Sequence, residues 1–300
     1  MTPLPRPGQH GGDGPAVATA LGLDPGAMLD LSQNLNPFAP DVSVFVGRHR
    51  SSLRHYPDPT EATRLLAAAM GVDPMRLLLT NGGSEAIHLV TTELGGRVAA
   101  EPEFALHPRG AGGPVWRSNP HSPSGALAAS GDRAEVWDEA FYALATGRWS
   151  AYPEGAVVLG SLTKTFACPG LRLGYVLTPE GADVRRFAQH QPQWSVGSLA
   201  LAVLPDLLQS ADLPAWRSAV ASARQALVDI LRERGWQVEA REAPWVLVHD
   251  SALRAALAPH GVLVRDCASF GRGDLSRVAV PDAEGLQRVR RALDAVLAAR

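Results

Sequence analysis

The chain has 300 residues, 46% of them apolar, and a formal net charge of −2. That is enough apolar material to bury a sizeable core in one large or two modest domains, and the near-neutral charge argues against nucleic acid or an anionic membrane as the main partner. No apolar run reaches membrane-spanning length, the Pro- and Gly-rich start lacks the apolar stretch of a signal peptide, and neither the two cysteines nor the nine histidines show ligand or disulfide spacing, so a cytoplasmic protein without metal is expected.

Residues 1–40 read as an irregular arm. His10-Gly11-Gly12-Asp13 opens it; a short strand-like stretch at 28–31 precedes Ser32-Gln33-Asn34-Leu35-Asn36-Pro37, which closes it. Taken alone these are turn residues. His55-Tyr56-Pro57-Asp58-Pro59 then fixes an extended backbone ahead of a helix that starts near Thr60. Residues 77–87 read as strand, glycine turn and helix, with Gly83 and Ser84 at a helix start whose free N–H groups suit a phosphate. A second short strand at 97–100 ends in Glu101-Pro102-Glu103-Phe104, and a third at 115–118 leads into Asn119-Pro120-His121-Ser122-Pro123-Ser124-Gly125. The next strand ends in Asp138-Glu139-Ala140-Phe141. A carboxylate there is ordinarily a helix cap or an ion-pair partner.

Val157-Val158-Leu159 reads as a buried strand, and Lys164 follows just beyond its end, where α/β proteins place ligand sites. Lys164 is the only lysine; every other basic side chain among the 28 Lys+Arg is arginine. Arginine replaces lysine wherever a solvated positive charge suffices, but a guanidinium does not deprotonate to attack a carbonyl. A lysine that survives a drift toward arginine therefore points to a Schiff-base nucleophile. Ser161 offers a hydroxyl to a phosphate and Arg172 a forked pair of donors. Beyond Tyr175, helical patterns cover 199–208 and 216–234. Residues 245–249, 262–267 and 277–280 then read as strands, and Leu286, Val289, Leu293, Val296 and Leu297 form one apolar face of a last helix.

Ser161-x-x-Lys164, followed by Pro169-Gly170-x-Arg172-x-Gly174-Tyr175, resembles the lysine segment of fold-type I pyridoxal-phosphate (PLP) enzymes, the class I/II aminotransferases. Six elements of that pattern occur in family order between Gly83 and Arg172. The resemblance implies an α/β fold with a mostly parallel central sheet in a large PLP-binding domain (41–205), preceded by the arm (1–40) and followed by a small C-terminal α/β domain (206–300). It implies that Gly83, Ser84, Ser161 and Arg172 hold the cofactor phosphate, Phe104 stacks on the ring, Asn119 donates to its phenolic oxygen, Asp138 pairs with its nitrogen, and Lys164 is catalytic. Tyr56 would reach the cofactor of a neighbouring subunit, which implies a homodimer. Arg277 in Arg-Val-Ala-Val resembles the clamp for a substrate α-carboxylate, and Arg265 would take a substrate phosphate.

His-Gly-Gly at residue 10 and Ser-x-Asn-x-Asn-Pro ending at Pro37 resemble the threonine-phosphate decarboxylase branch, which places His10 and Asn36 at the substrate. The reaction this implies converts L-threonine O-3-phosphate to (R)-1-aminopropan-2-ol O-2-phosphate and CO2 in cobalamin synthesis. Amino transfer on histidinol phosphate or a similar phosphorylated amine is the alternative, and a non-catalytic partner of cobalamin assembly a third. The chain departs from the pattern in three places. The stretch from Phe104 to Asn119 is short by a helix and a strand, which should narrow the sheet or expose an edge. Phe141 stands where a tyrosine is common, and Pro281 where a basic residue is.

Overall fold

The apolar runs pair into two main sheets in the computed structural model, which describes residues 4–6, 8 and 10–299. In chain order the elements are α1 (Gly14–Ala20), β1 (Leu29–Asp30), α2 (Val42–His49), α3 (Thr60–Met70), β2 (Leu77–Asn81), α4 (Gly82–Leu94), β3 (Arg97–Val98), β4 (Val115–Ser118), β5 (Val136–Asp138) and α5 (Tyr142–Thr146). They continue as β6 (Val157–Gly160), α6 (Leu162–Thr165), β7 (Leu173–Leu177), α7 (Arg185–Ala188), α8 (Ser198–Gln209) and α9 (Leu213–Arg232). The last are β8 (Val238–Ala240), β9 (Trp245–Val248), α10 (Leu253–Leu257), β10 (Val262–Leu263), β11 (Arg265–Asp266), β12 (Ser276–Ala279) and α11 (Ala283–Ala298).

The larger sheet has the order β2–β7–β6–β5–β4–β3, and only β7 runs against the others. Strands buried on both faces read as continuous apolar runs, and β6 and β7 are buried at every position. On one face Val158, Leu177 and Phe166 pack with α3 and α8; on the other Val157, Leu159 and Val176 pack with α4 and α7. Because the strands are parallel, the ends of β2, β4, β5 and β6 come to one edge, and those ends carry Gly82, Asn119, Asp138 and Ser161. The shortening leaves β3 as a two-residue edge strand with Arg97 exposed, and the connections from β3 to β4 and from β4 to β5 contain no helix. In place of a helix, the Arg117 guanidinium lies 5.9 Å from the Trp137 ring and pairs with Asp132 at 2.9 Å.

The smaller sheet, β11–β12–β9–β8, is antiparallel throughout. Helix α9, capped by Asp212 on the Ala215 N–H (3.0 Å), buries Leu213 and Trp216 against the first core, then Leu227, Ile230 and Leu231 against the second. The run at 262–267 is not one strand. β10 pairs in parallel with β1 of the arm, while β11 turns to pair with β12, so the chain changes partners at Val264. The face of the small sheet that carries Trp245, Leu247 and Phe270 meets Phe104 and Phe141 from the large-sheet side. The candidate site lies at that junction.

Candidate active site

The turn from β2 into α4 is shaped by glycines that leave no room for a side chain. Gly82 has φ +76°, and a Cβ there would sit 2.5 Å from Arg172 Nη2. A Cβ on Gly174 would sit 2.6 Å from the Gly82 carbonyl carbon and 2.7 Å from the Gly83 nitrogen. Strand β7 thus presses against the start of α4, and the Arg172 guanidinium lies over its first residue. The first N–H groups of a helix have no partner within it, and Gly82, Gly83 and Ser84 occupy this first turn. Glu85 fixes the turn by accepting from the Asn81 N–H (2.7 Å) and Gln191 (2.9 Å). Ser161, buried, precedes α6 on the neighbouring strand.

Lys164 is in α6, one turn past β6. Its Nζ donates to the Gln33 carbonyl (2.9 Å), and burial, then the charges of Arg277, Arg172 and Arg265, lower its pKa from 10.5 to about 8. The arm braces this lysine from the other side. Asn36 donates through its N–H to the Lys164 carbonyl (3.1 Å) and through its amide to the Thr165 carbonyl (2.9 Å), while its Oδ1 accepts from the Phe38 N–H (3.0 Å). Both ends of the buried Asn36 side chain thus make a bond within the fold, against the lysine turn. His10 is exposed, with its ring 5.6 Å from that of Phe104; burial, then Arg265 and Lys164, lower its pKa.

Asp138 and Asn119 end adjacent strands, the Asn119 N–H donating to the Asp138 carbonyl (2.8 Å). Their side chains have different partners. Asp138 Oδ1 accepts from the Ala140 N–H (3.0 Å), and Oδ2 lies 3.0 Å from Nε2 of the buried His107. Asn119 Oδ1 accepts from the Ala128 N–H (3.0 Å), on the side where a cavity of about 360 Å³ also touches Trp137 and Glu139. Burial raises the Glu139 pKa to about 7. Sequence reasoning passed over His107 because a single histidine in a loop carries no spacing signal.

The small sheet supplies two arginines. Arg265 and Arg277 are both buried and are register partners on β11 and β12. The Arg277 guanidinium lies 5.0 Å from the Trp245 ring and 5.5 Å from that of Phe270, and Arg265 lies 5.2 Å from Phe270. Trp245 in turn meets Phe141 edge-on at 4.9 Å, and Lys164 Nζ lies 6.0 Å from the Phe141 ring. With its amide oxygen turned toward the guanidinium, Asn34 accepts from Arg277 Nε (3.1 Å) and Nη2 (3.0 Å), an edge-on grip that leaves Nη1 for another partner. Of the residues singled out in the sequence, the structure gathers Lys164, Arg172, Arg265 and Arg277 into one basic cluster, with His10 beside Arg265 and Lys164. Tyr56 is outside it, exposed, with its ring 4.6 Å from that of Trp194.

Residues 114–293, more than half of the chain, match the family model for aminotransferase class I and II. The chain belongs to that family. It is 29% identical over 96% of both chains to the threonine-phosphate decarboxylase of Salmonella typhimurium (strain LT2). It is 27% identical over 89% of both chains to the histidinol-phosphate aminotransferase of Thermobifida fusca. The histidinol-phosphate aminotransferase of Sinorhizobium meliloti, in complex with pyridoxal-5'-phosphate, shares the fold with a TM-score of 0.74, covering 89% of this chain and 90% of that one at 17% identity. The cofactor of this family member is pyridoxal 5'-phosphate. The residues present fit it. A glycine cradle that any Cβ would fill faces a guanidinium at a helix start, which suits a phosphate, and a lysine of lowered pKa stands near it.

Proposed function

We propose that the protein decarboxylates L-threonine O-3-phosphate at this site. The observation that carries the reading is the pair of buried arginines, Arg265 and Arg277, set side by side across two strands and close enough to Lys164 to depress its pKa. Two guanidiniums in one apolar, aromatic wall suit a substrate with two anionic groups. The α-carboxylate belongs on Arg277, whose plane Trp245, Phe270 and Asn34 fix, and the phosphate on Arg265. Resemblance to the Salmonella typhimurium enzyme over nearly the full chain supports the same substrate.

Gly83, Ser84, Ser161 and Arg172 would hold the cofactor phosphate, Phe104 would cover the ring, and Asp138 would keep a proton on the ring nitrogen. Bound there, pyridoxal phosphate supplies an aldehyde for the substrate amine and a ring that accepts the electron pair released at Cα. Lys164 Nζ, whose pKa is lowered, would anchor the cofactor and hold the proton that returns to Cα. Arg277 would grip the α-carboxylate and set its orientation, which decides whether that group is the one lost. Asn119 reaches the phenolic oxygen only if its amide nitrogen faces the ring while Oδ1 stays on Ala128. Tyr56 would contribute from a second copy of the chain in a homodimer.

The test is release of labelled CO2 from carboxyl-labelled threonine O-phosphate by the full chain with PLP and no keto acid. Release is expected, and the Lys164→Ala protein should give none. If no CO2 is released while a keto acid sustains turnover of a phosphorylated amine, the site performs amino transfer instead, as its histidinol-phosphate aminotransferase relatives do by name.

A further inference from the structure

The segment from Glu101 to Arg109 carries Phe104 and His107, yet it contains neither helix nor strand. Irregular backbone is ordinarily the part of a protein that opens most readily. Here one side chain makes most of the bonds that close it, beside His121, whose Nε2 lies 2.8 Å from the Pro102 carbonyl. Arg109 Nε donates to Glu101 Oε1 (2.9 Å), and Nη2 to Glu101 Oε2 (3.3 Å) and the Glu103 carbonyl (3.2 Å). Its Nη1 donates to the carbonyls of Phe104 (2.9 Å), Ala105 (3.1 Å) and His107 (2.6 Å). The arginine backbone is itself fixed to the sheet, since Arg109 bridges Arg97 of β3 and the Gly110 N–H donates to the Gly96 carbonyl (2.9 Å).

We propose that Arg109 is a positioning residue: it folds the 101–109 segment around its own guanidinium and so sets His107 against Asp138 and Phe104 edge-on to the His107 ring. The His107 ring shows why such a support is needed. It is fully buried, but only Nε2 is bonded, to Asp138; Nδ1 has no hydrogen-bond partner among the described residues, the nearest carboxylate being Glu103 at 3.8 Å. One bond to a carboxylate does not fix the plane of an imidazole; the Phe104 and Trp116 rings pack on it at 5.6 and 5.5 Å, and the backbone at 104–107 that carries it is what Arg109 grips. Glu103 supplies a second anchor through Ser118, whose N–H it accepts at 3.0 Å, but this fixes only one end of the turn. A flat guanidinium presents donors along both edges at once, and the three rotating donors of a lysine cannot reproduce that pattern. Arg109 therefore does the work of the absent helix between β3 and β4.

The inference rests on the proposed assignment of Asp138 and Phe104 to the cofactor, so Asp138→Asn is measured beside Arg109→Ala and Arg109→Lys in the full chain. The readouts are the PLP dissociation constant, the pH midpoint of the bound cofactor's visible band, and thermal unfolding without cofactor. Both Arg109 variants are expected to bind PLP about tenfold more weakly and to show a displaced pH midpoint, with little change in unfolding. Millimolar guanidinium ion should restore affinity to Arg109→Ala and leave Asp138→Asn unchanged. Wild-type affinity and midpoint in a folded Arg109→Ala protein overturn the proposal; if that protein does not fold, the same result in Arg109→Lys overturns it. Weakening in Asp138→Asn alone sinks the Arg109 role and spares the site. No effect in Asp138→Asn sinks both.

Discussion

At the scale of single residues, Lys164 makes the sharpest prediction. Its pKa in the folded chain, about 8, lies below its ordinary 10.5 because the ammonium is buried among Arg277, Arg172 and Arg265. Between those two values the unfolded chain binds the proton more tightly than the folded one. The cost of burying the charge is therefore complete below about pH 8 and is relieved as pH rises toward 10.5. Only the neutral amine attacks an aldehyde, so the rate of covalent PLP capture should rise with pH and level off above about 8. Stopped-flow absorbance across that range decides the matter, and a rate still climbing toward 10.5 would mean an unperturbed lysine. Lys164 was legible in the sequence because it is the chain's one lysine. Asp138 and Arg277 were legible through the residues beside them. His107 and Asn34 were not: each matters through one long-range bond, to Asp138 or to Arg277, and no local pattern records such a bond.

At the scale of elements, periodic segments were read closely. The pattern at 199–208 became α8, Ser198–Gln209, and the apolar face ending at Leu297 became α11, Ala283–Ala298, because burial of one face sets the 3.6-residue repeat. The run at 262–267 misled because apolar continuity says nothing about which sheet a strand joins, and here the arm competes for its first half. The glycines of the cup carry more information than their turn role suggests. A Cβ on Gly174 would come within 2.6 Å of the Gly82 carbonyl carbon and 2.9 Å of the Gly160 carbonyl oxygen, backbone atoms with no rotamer to give way. Gly174→Ala is expected to cost about 3 kcal/mol of stability, the upper end for overpacking. Because the displaced atoms are the first turn of α4, PLP affinity should fall with it. Urea unfolding and a PLP titration of the same preparation check both effects; lost stability with intact affinity would separate the cup from the cofactor.

At the scale of the whole molecule, the site is built from parts far apart in the chain. The arm is held to helix α10 by the Asp13–Arg254 ion pair (2.6 Å), and it supplies Gln33 to Lys164 and Asn34 to Arg277. The large sheet brings the lysine and the carboxylate, and the small sheet brings the arginines. One part fits no role within a single copy. Tyr56 is 79% exposed and stacks beside Trp194 at 57%, an uncommon pair of bare aromatic side chains. A second copy of the chain related by a twofold axis would cover it and receive Tyr56 at its own cofactor. Mixed subunits test this without a structure of the dimer. Lys164→Ala and Tyr56→Ala proteins are each made defective, then unfolded, mixed in equal amounts and refolded. If Tyr56 acts across the interface, each mixed dimer holds one doubly defective site and one intact site, so the mixture should recover about a quarter of wild-type activity. If Tyr56 serves its own chain, every site in a mixed dimer keeps one defect and no activity returns. A monomeric mass by sedimentation would remove the interface altogether, and Tyr56 would then have no cofactor to reach.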